Sequence, residues 1–384
     1  MNYPKTLTSK LPNMGTSIFA VMSGLAHETG AINLSQGFPD FPISQELIEL
    51  VHQYMKKGFN QYAPMPGVLA LREAIAQKAY DTYNISYNPD TEITITAGAT
   101  EALFSIITAM IHQGDEVIII EPAYDSYAPV VELSGGVVRF SSLKVPDYSV
   151  NWEEIKSLIN HKTKMIIINT PHNPTGSVLK PEDLLTLEKM TEDTDIVVLS
   201  DEVYEHLIFD DTRHESVCFY PTLAQRSFVV GSFGKTFHAT GWKVGFVMAP
   251  KELTAEMRKV HQFVTFAVNT PVQMALSEFI QKPDNYNYVS GFFQQKRDFF
   301  AEAVKLSRFK IMPCYGTYFQ LLNYKNISNE GELDFAKRLT REYGVATVPV
   351  SPFYHNRADN HMLRVCFAKG EETLEQAAEI LNKI

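Results

Sequence analysis

Seven short, nearly unbroken apolar runs limit what this chain can fold into: EITIT (92–96), EVIII (116–120), GVVRF (136–140), KMIIIN (164–169), IVVLS (196–200), SFVVGSF (227–233) and GFVMAP (245–250). Each is short and rich in β-branched or aromatic residues, and stretches with helical periodicity separate them. A strand open to water on one face alternates apolar with polar residues, whereas one covered on both faces does not. The pattern predicts a mainly parallel seven-stranded sheet between layers of helices, an α/β architecture.

The connecting helices have legible ends. In SQELIELVHQYMKKG, Ser44 is placed to cap, Leu47, Ile48, Val51, Tyr54 and Met55 form an apolar stripe, and Gly58 can stop the helix. Pro181 opens PEDLLTLEKM in the first-turn position that tolerates proline. After about residue 282 the pattern changes to a long helix (DNYNYVSGFFQQKRDFFAEAVKL), the strand TYFQLLNY, the helix ELDFAKRLTREYG, the strand MLRVCFA and a closing helix from Glu371. A chain of 384 residues exceeds the size at which one core stops growing. The expectation is a large domain over 44–282 and a smaller α+β domain made of 1–43 and 283–384.

A net charge of −10 argues against a protein that grips phosphate backbones by general attraction, so no nucleic-acid partner is expected. Cys218, Cys314 and Cys366 lie too far apart for a CxxC site, and neither a disulfide framework nor a metal site is expected. The opening MNYPKTLTSKLPNMG lacks an apolar secretory core and no run reaches bilayer length. A cytoplasmic setting without membrane attachment is the expectation.

Ligands of open parallel sheets bind outside the strand C-termini, so the residues after each strand carry the functional information. EITIT leads into Ala97, Gly98, Ala99 and Thr100, EVIII into Glu121, Pro122, Ala123 and Tyr124, and KMIIIN into Thr170, Pro171, His172, Asn173, Pro174, Thr175 and Gly176. IVVLS ends in Asp201, Glu202, Val203 and Tyr204, and SFVVGSF in Gly234 and Lys235. Singly these are ordinary turns, caps and rim aromatics. Their convergence on one end of one sheet is not ordinary. Gly-Lys-Thr at 234–236 superficially suggests a nucleotide P-loop, but the glycine required five positions before Gly234 is Val229, and the acidic strand precedes the lysine instead of following it.

Taken together, LSQGFPDF (34–41), NQYAPMPGVLALREAIA (60–76), NTPHNPTG (169–176), SDEVYEH (200–206), SFGKTFHATGWKVG (232–245) and LRVCFAK (363–369) cover nearly the whole chain. The chain resembles the fold-type-I, pyridoxal-phosphate-dependent class I aminotransferases, in the branch containing methionine aminotransferase and kynurenine–oxoglutarate transaminase (glutamine transaminase K). The resemblance implies that Lys235 forms an imine with pyridoxal 5′-phosphate, and that, once freed, its amine moves a proton from the substrate Cα. It implies that Asp201 pairs with the pyridine nitrogen, that Asn173 and Tyr204 donate to the ring's phenolic oxygen, and that Tyr124 stacks on the ring.

For the phosphate, the resemblance points to the helix opening at Ala99 and Thr100, with Ser232 and Lys243; the aspartate aminotransferase branch has arginine where Lys243 stands. Tyr62 matches a tyrosine that reaches the phosphate in the neighbouring subunit, which implies a homodimer with shared active sites. Arg364 falls on the substrate α-carboxylate, braced by Asn173. Gln36, Gly37, Phe38 and Pro39, with Ile18 and Phe19, are expected to wall a side-chain pocket suited to methionine, aromatic amino acids or glutamine. The implied activity is transfer of an amino group between an amino acid and a 2-oxo acid. A β-lyase acting on cysteine conjugates or cystathionine is the alternative on the same scaffold. A non-catalytic cofactor-binding regulator is a third reading, disfavoured by the joint presence of Lys235, Asp201 and Arg364.

Overall fold

The structure, a computed structural model, describes residues 6–384; residues 1–5 of the segment assigned to the smaller domain lie outside the described residues. All seven apolar runs are strands of one sheet, in the order Ile93–Thr96, Gly245–Met248, Ser227–Ser232, Val197–Asp201, Thr163–Asn169, Glu116–Glu121, Val137–Ser142. Gly245–Met248 runs antiparallel to both its neighbours and the other strand pairs are parallel. Side chains alternate between two buried layers: Val117, Ile119, Met165 and Ile167 join one apolar cluster, and Ile118, Ile120, Ile166 and Ile168 the other. Unbroken hydrophobicity in these runs therefore reflects helices on both sides. The exception is Val137–Ser142, which lies at the sheet edge and leaves Val137 41% exposed.

The helix Gln45–Lys56 forms where its periodicity places it, but its buried residues are Leu47 and Leu50, while Ile48 and Met55 of the expected stripe are exposed. Ser44 occupies the cap position without a side-chain bond, and the chain turns away at Gly58 with φ +90°. Pro181 opens the helix Pro181–Thr191 as expected.

A second, four-stranded antiparallel sheet runs Val348–Pro349, Met362–Cys366, Phe319–Asn323, Lys310–Ile311, beside the helices Asp284–Ala303 and Glu371–Leu381. ELDFAKRLTREYG is helical over Glu332–Arg338 and then widens into a π turn over Leu339–Tyr343. Glu332 is buried and its carboxylate accepts the backbone N–H groups of Ser351, Asn360 and Met362, which pins the start of the strand Met362–Cys366. The N-terminal helix Ile18–Thr29 packs near Val345–Pro349, and Ile32–Asn33 pairs in parallel with Val345–Ala346. Among the described residues no helix is long and apolar enough to cross a membrane.

Candidate active site

Strand register brings the chemistry together. Asn169 and Asp201 are paired residues at the ends of adjacent strands, and Ser232 ends the next one. The antiparallel strand returns at Gly245, level with both Ser232 and Thr96. Its insertion brings Lys243 to the same edge as the helix Gly98–Met110. A cavity of about 240 Å³ lies there, lined among others by the candidates Gly37, Ala99, Thr100, Tyr124, Asn173, Asp201, Tyr204, Ser232, Lys235, Lys243 and Arg364. Tyr62 is 84% exposed and packs its ring against Phe266 outside the cavity.

Lys235 sits in the single helical turn Phe233–Thr236 that follows its strand. Nζ donates to Tyr318 Oη at 2.8 Å and makes a longer contact with Gly37 O at 3.4 Å. Burial, reinforced by the positive charges of Arg364 and Lys243, lowers its pKa to about 8. That shift leaves a usable fraction of neutral amine near neutral pH.

Asp201 is buried, and burial raises its pKa to about 6, against the opposing hydrogen bonds from Tyr127 Oη at 2.6 Å and the Val203 N–H at 3.4 Å. A cation facing this carboxylate would relieve the cost of burying it. Asn169 Nδ2 donates to Asp201 O, while its Oδ1 accepts the Asn173 N–H, so one side chain sets the spacing of both loops. Tyr204 is buried with its ring edge-on to Tyr318, and burial holds its phenol protonated far into the alkaline range, available as a donor.

Arg364 is the largest fully buried side chain. Its guanidinium lies 3.8 Å from the Phe319 ring centroid, with Nη1 donating to Asn173 Oδ1 at 2.9 Å and Nη2 to Ser35 O at 3.0 Å. Its Nε is buried without a partner among the described residues. An arginine held this firmly, with donor capacity left over, suits a planar two-oxygen anion. Engagement of Asn173 Oδ1 by Arg364 leaves Asn173 Nδ2 as the group free to donate.

At the other end, Gly98 has φ +77°, and a Cβ there would stand 3.2 Å from Lys243 Nζ. Lys243 itself adopts left-handed backbone with φ +52°, uncommon for a side-chain-bearing residue, and this folds its amine back over the helix start. Glu101 takes the Ala97 N–H, the next amides of the first turn have no helical partner, and Gly98, Ala99 and Thr100 line the cavity beside Lys243. The residues therefore fit a phosphorylated pyridine aldehyde: an anion cradle, a lysine amine and a buried carboxylate share one cavity.

Of the six residues expected to wall the pocket, two line the cavity. Gly37 and Phe19 line the cavity; Ile18, Gln36, Phe38 and Pro39 do not. Lys369 Nζ donates to Phe38 O and sits 4.9 Å from its ring centroid, which holds Phe38 on the outer side, 41% exposed. Tyr127, Tyr318 and Phe319 act at the site but escaped the sequence reading. Tyr127 opens the helix Tyr127–Leu133 three residues after Tyr124, whereas nothing local marks Tyr318 or Phe319.

Residues 29–381 match the family model described as aminotransferase class I and II. The chain is 48% identical over 384 residues to methionine aminotransferase of Escherichia coli K12, covering all of both chains. It is 32% identical over 424 residues to kynurenine–oxoglutarate transaminase of Dictyostelium discoideum, covering 100% of this chain and 98% of that one. A crystal structure of an E. coli protein whose reactivity identified a methionine aminotransferase function superposes with a TM-score of 0.97 at 48% identity, over 99% of this chain and 100% of that one. With the site's geometry and full-length similarity in agreement, the chain belongs to the class I and II aminotransferases, in the methionine and kynurenine aminotransferase branch.

Proposed function

We propose that this enzyme is a pyridoxal-phosphate-dependent aminotransferase whose donors are methionine, aromatic amino acids or glutamine, with methionine first among them. The observation that carries the reading is a buried Lys235, its pKa lowered to about 8, sharing one cavity with the buried carboxylate of Asp201. When bound, the cofactor supplies an aldehyde that condenses with primary amines and a protonated ring that draws off the electrons left at a substrate Cα. Asp201 would hold that protonated nitrogen by charge. Gly98, Ala99, Thr100, Ser232 and Lys243 would hold its phosphate, Tyr124 would support the ring face, and Asn173 and Tyr204 would donate to the ring oxygen.

Arg364 orients the substrate through its α-carboxylate, which turns the Cα–H toward Lys235. The Lys235 lone pair takes the proton from Cα, and its ammonium form, disfavoured by burial, releases it again. The walls away from these groups include Phe19, Leu103, Val203 and Val244. Among the described residues Lys235, Lys243 and Arg364 are the cations lining the cavity, and each has a role, so none of these remains for a second substrate carboxylate. This supports apolar or neutral side chains over dicarboxylates.

We further infer a homodimer in which Tyr62 completes the phosphate site of the other subunit, and a division into a cofactor domain over 44–282 and a smaller domain of 1–43 with 283–384. The exposure of Tyr62 and of Phe263, at 84% and 86%, supports a second copy covering this surface. The deciding experiment is the half-reaction, followed as loss of the cofactor's visible absorbance with each of the twenty amino acids. Fast bleaching by methionine, aromatic residues or glutamine and slow bleaching by aspartate and glutamate is expected. Preference for the dicarboxylates, or pyruvate release from a cysteine conjugate exceeding transfer to a 2-oxo acid, would overturn the assignment.

A further inference from the structure

A neutral lysine amine has two N–H bonds and one lone pair, so where the hydrogens go decides where the lone pair points. Around Lys235, two oxygens receive them: Tyr318 Oη at 2.8 Å and Gly37 O at 3.4 Å. The Tyr318 hydroxyl spends its own hydrogen on Gly37 O at 2.5 Å, so that its lone pairs face the amine. The three groups close a triangle. Tyr318 is fully buried, its ring edge-on to Tyr204 and Phe319 and tilted against Phe293, which leaves the hydroxyl no freedom to swing away. A Cβ on Gly37 would lie 2.7 Å from Phe319 Cζ, so the absence of a side chain is what admits this carbonyl.

We propose that Tyr318 is a positioning residue for the Lys235 amine: together with the Gly37 carbonyl it occupies both N–H bonds of the neutral amine and aims the lone pair into the cavity. This rests on the reading of Lys235 as the proton carrier. After proton uptake the same two acceptors remain engaged, and the third N–H points where the lone pair did. Proton removal and proton return then use one direction, with no rotation of the side chain between them. Because Gly37 belongs to the N-terminal segment that walls the cavity, the direction of the amine is tied to the seating of that segment.

The test is Tyr318→Phe, which removes one oxygen and keeps the ring. In the cofactor-free protein, Lys235 acetylation by acetic anhydride is followed against pH by mass spectrometry of the peptide that carries it. The wild-type midpoint is expected near pH 8. An acceptor bound to an ammonium favours the charged form, so its loss moves the midpoint down. In the holoenzyme with methionine, kcat is expected to fall about 10- to 100-fold, as for a misdirected acid–base group, with KM within about 3-fold of wild type. Gly37→Ala keeps the hydroxyl, displaces the carbonyl, and should lower kcat in the same sense. Wild-type values of both midpoint and kcat in Tyr318→Phe would refute the role. So would a loss of kcat matched by equal losses of cofactor affinity and melting temperature, the mark of a scaffold defect. Failure of the wild-type enzyme itself to react with any amino acid would strike the proton-carrier reading and leave the acetylation profile to judge Tyr318 alone.

Discussion

Replacing Arg364 with alanine takes away a guanidinium whose position is fixed on three sides: by Phe319 at 3.8 Å, by Asn173 Oδ1 and by Ser35 O. If this group receives the substrate α-carboxylate in two charge-assisted hydrogen bonds, each contributes about 1.5–3 kcal/mol. The pair is then worth about 3–6 kcal/mol, which at about 1.4 kcal/mol per decade is roughly two to four orders of magnitude in kcat/KM. Two unrelated losses accompany it, since Asn173 Oδ1 and Ser35 O become unpaired and a buried volume opens. A substrate that lacks the carboxylate separates these contributions. The assay compares single-turnover reaction of methionine with that of 3-(methylthio)propylamine in wild type and Arg364→Ala. The wild type should prefer methionine by the full margin and the variant should nearly lose the preference, reacting with the amine almost as the wild type does. Arg364→Lys, a point charge without the fork, should fall between them. Retention of the wild-type preference in Arg364→Ala would refute carboxylate recognition by this residue.

Lys235→Ala should retain cofactor affinity through the phosphate cradle and Asp201, yet yield no borohydride-reduced adduct on the protein and lose nearly all transamination; robust turnover would exclude the assigned role. Asp201, with its pKa raised from 3.8 to about 6, binds more protons in the folded than in the unfolded chain between those values, so its contribution to stability falls as pH rises through that window. Denaturant titrations of the cofactor-free protein at pH 4 and pH 7.5 should show Asp201→Asn relieving this loss by up to about 3 kcal/mol, and identical pH dependence would contradict the burial argument. Gly98→Ala forces a methyl group into left-handed backbone at about 1–2 kcal/mol and against Lys243 Nζ, and should weaken cofactor binding about 10-fold, measured by titration of the cofactor-free protein.

Sheet and strand ends were legible in the sequence because their determinants are local. A run such as KMIIIN can be buried on both faces only inside a covered sheet, and the residues after it must emerge at the sheet's edge, where Asn173, Asp201, Tyr204 and Lys235 all lie. The family motifs then implied which chemistry those residues would serve. The tertiary structure decided what depends on groups far apart in the chain. Tyr318 meets Lys235 across 83 positions, and Gly37 meets it across 198. Arg364 finds Ser35 across 329. Such meetings are set by how the antiparallel sheet packs beside the parallel one, and no local periodicity encodes them. The same holds for electrostatics: a lysine near pH 8 and an aspartate near pH 6 arise because each is removed from water, a property of the surrounding atoms and not of the residue itself.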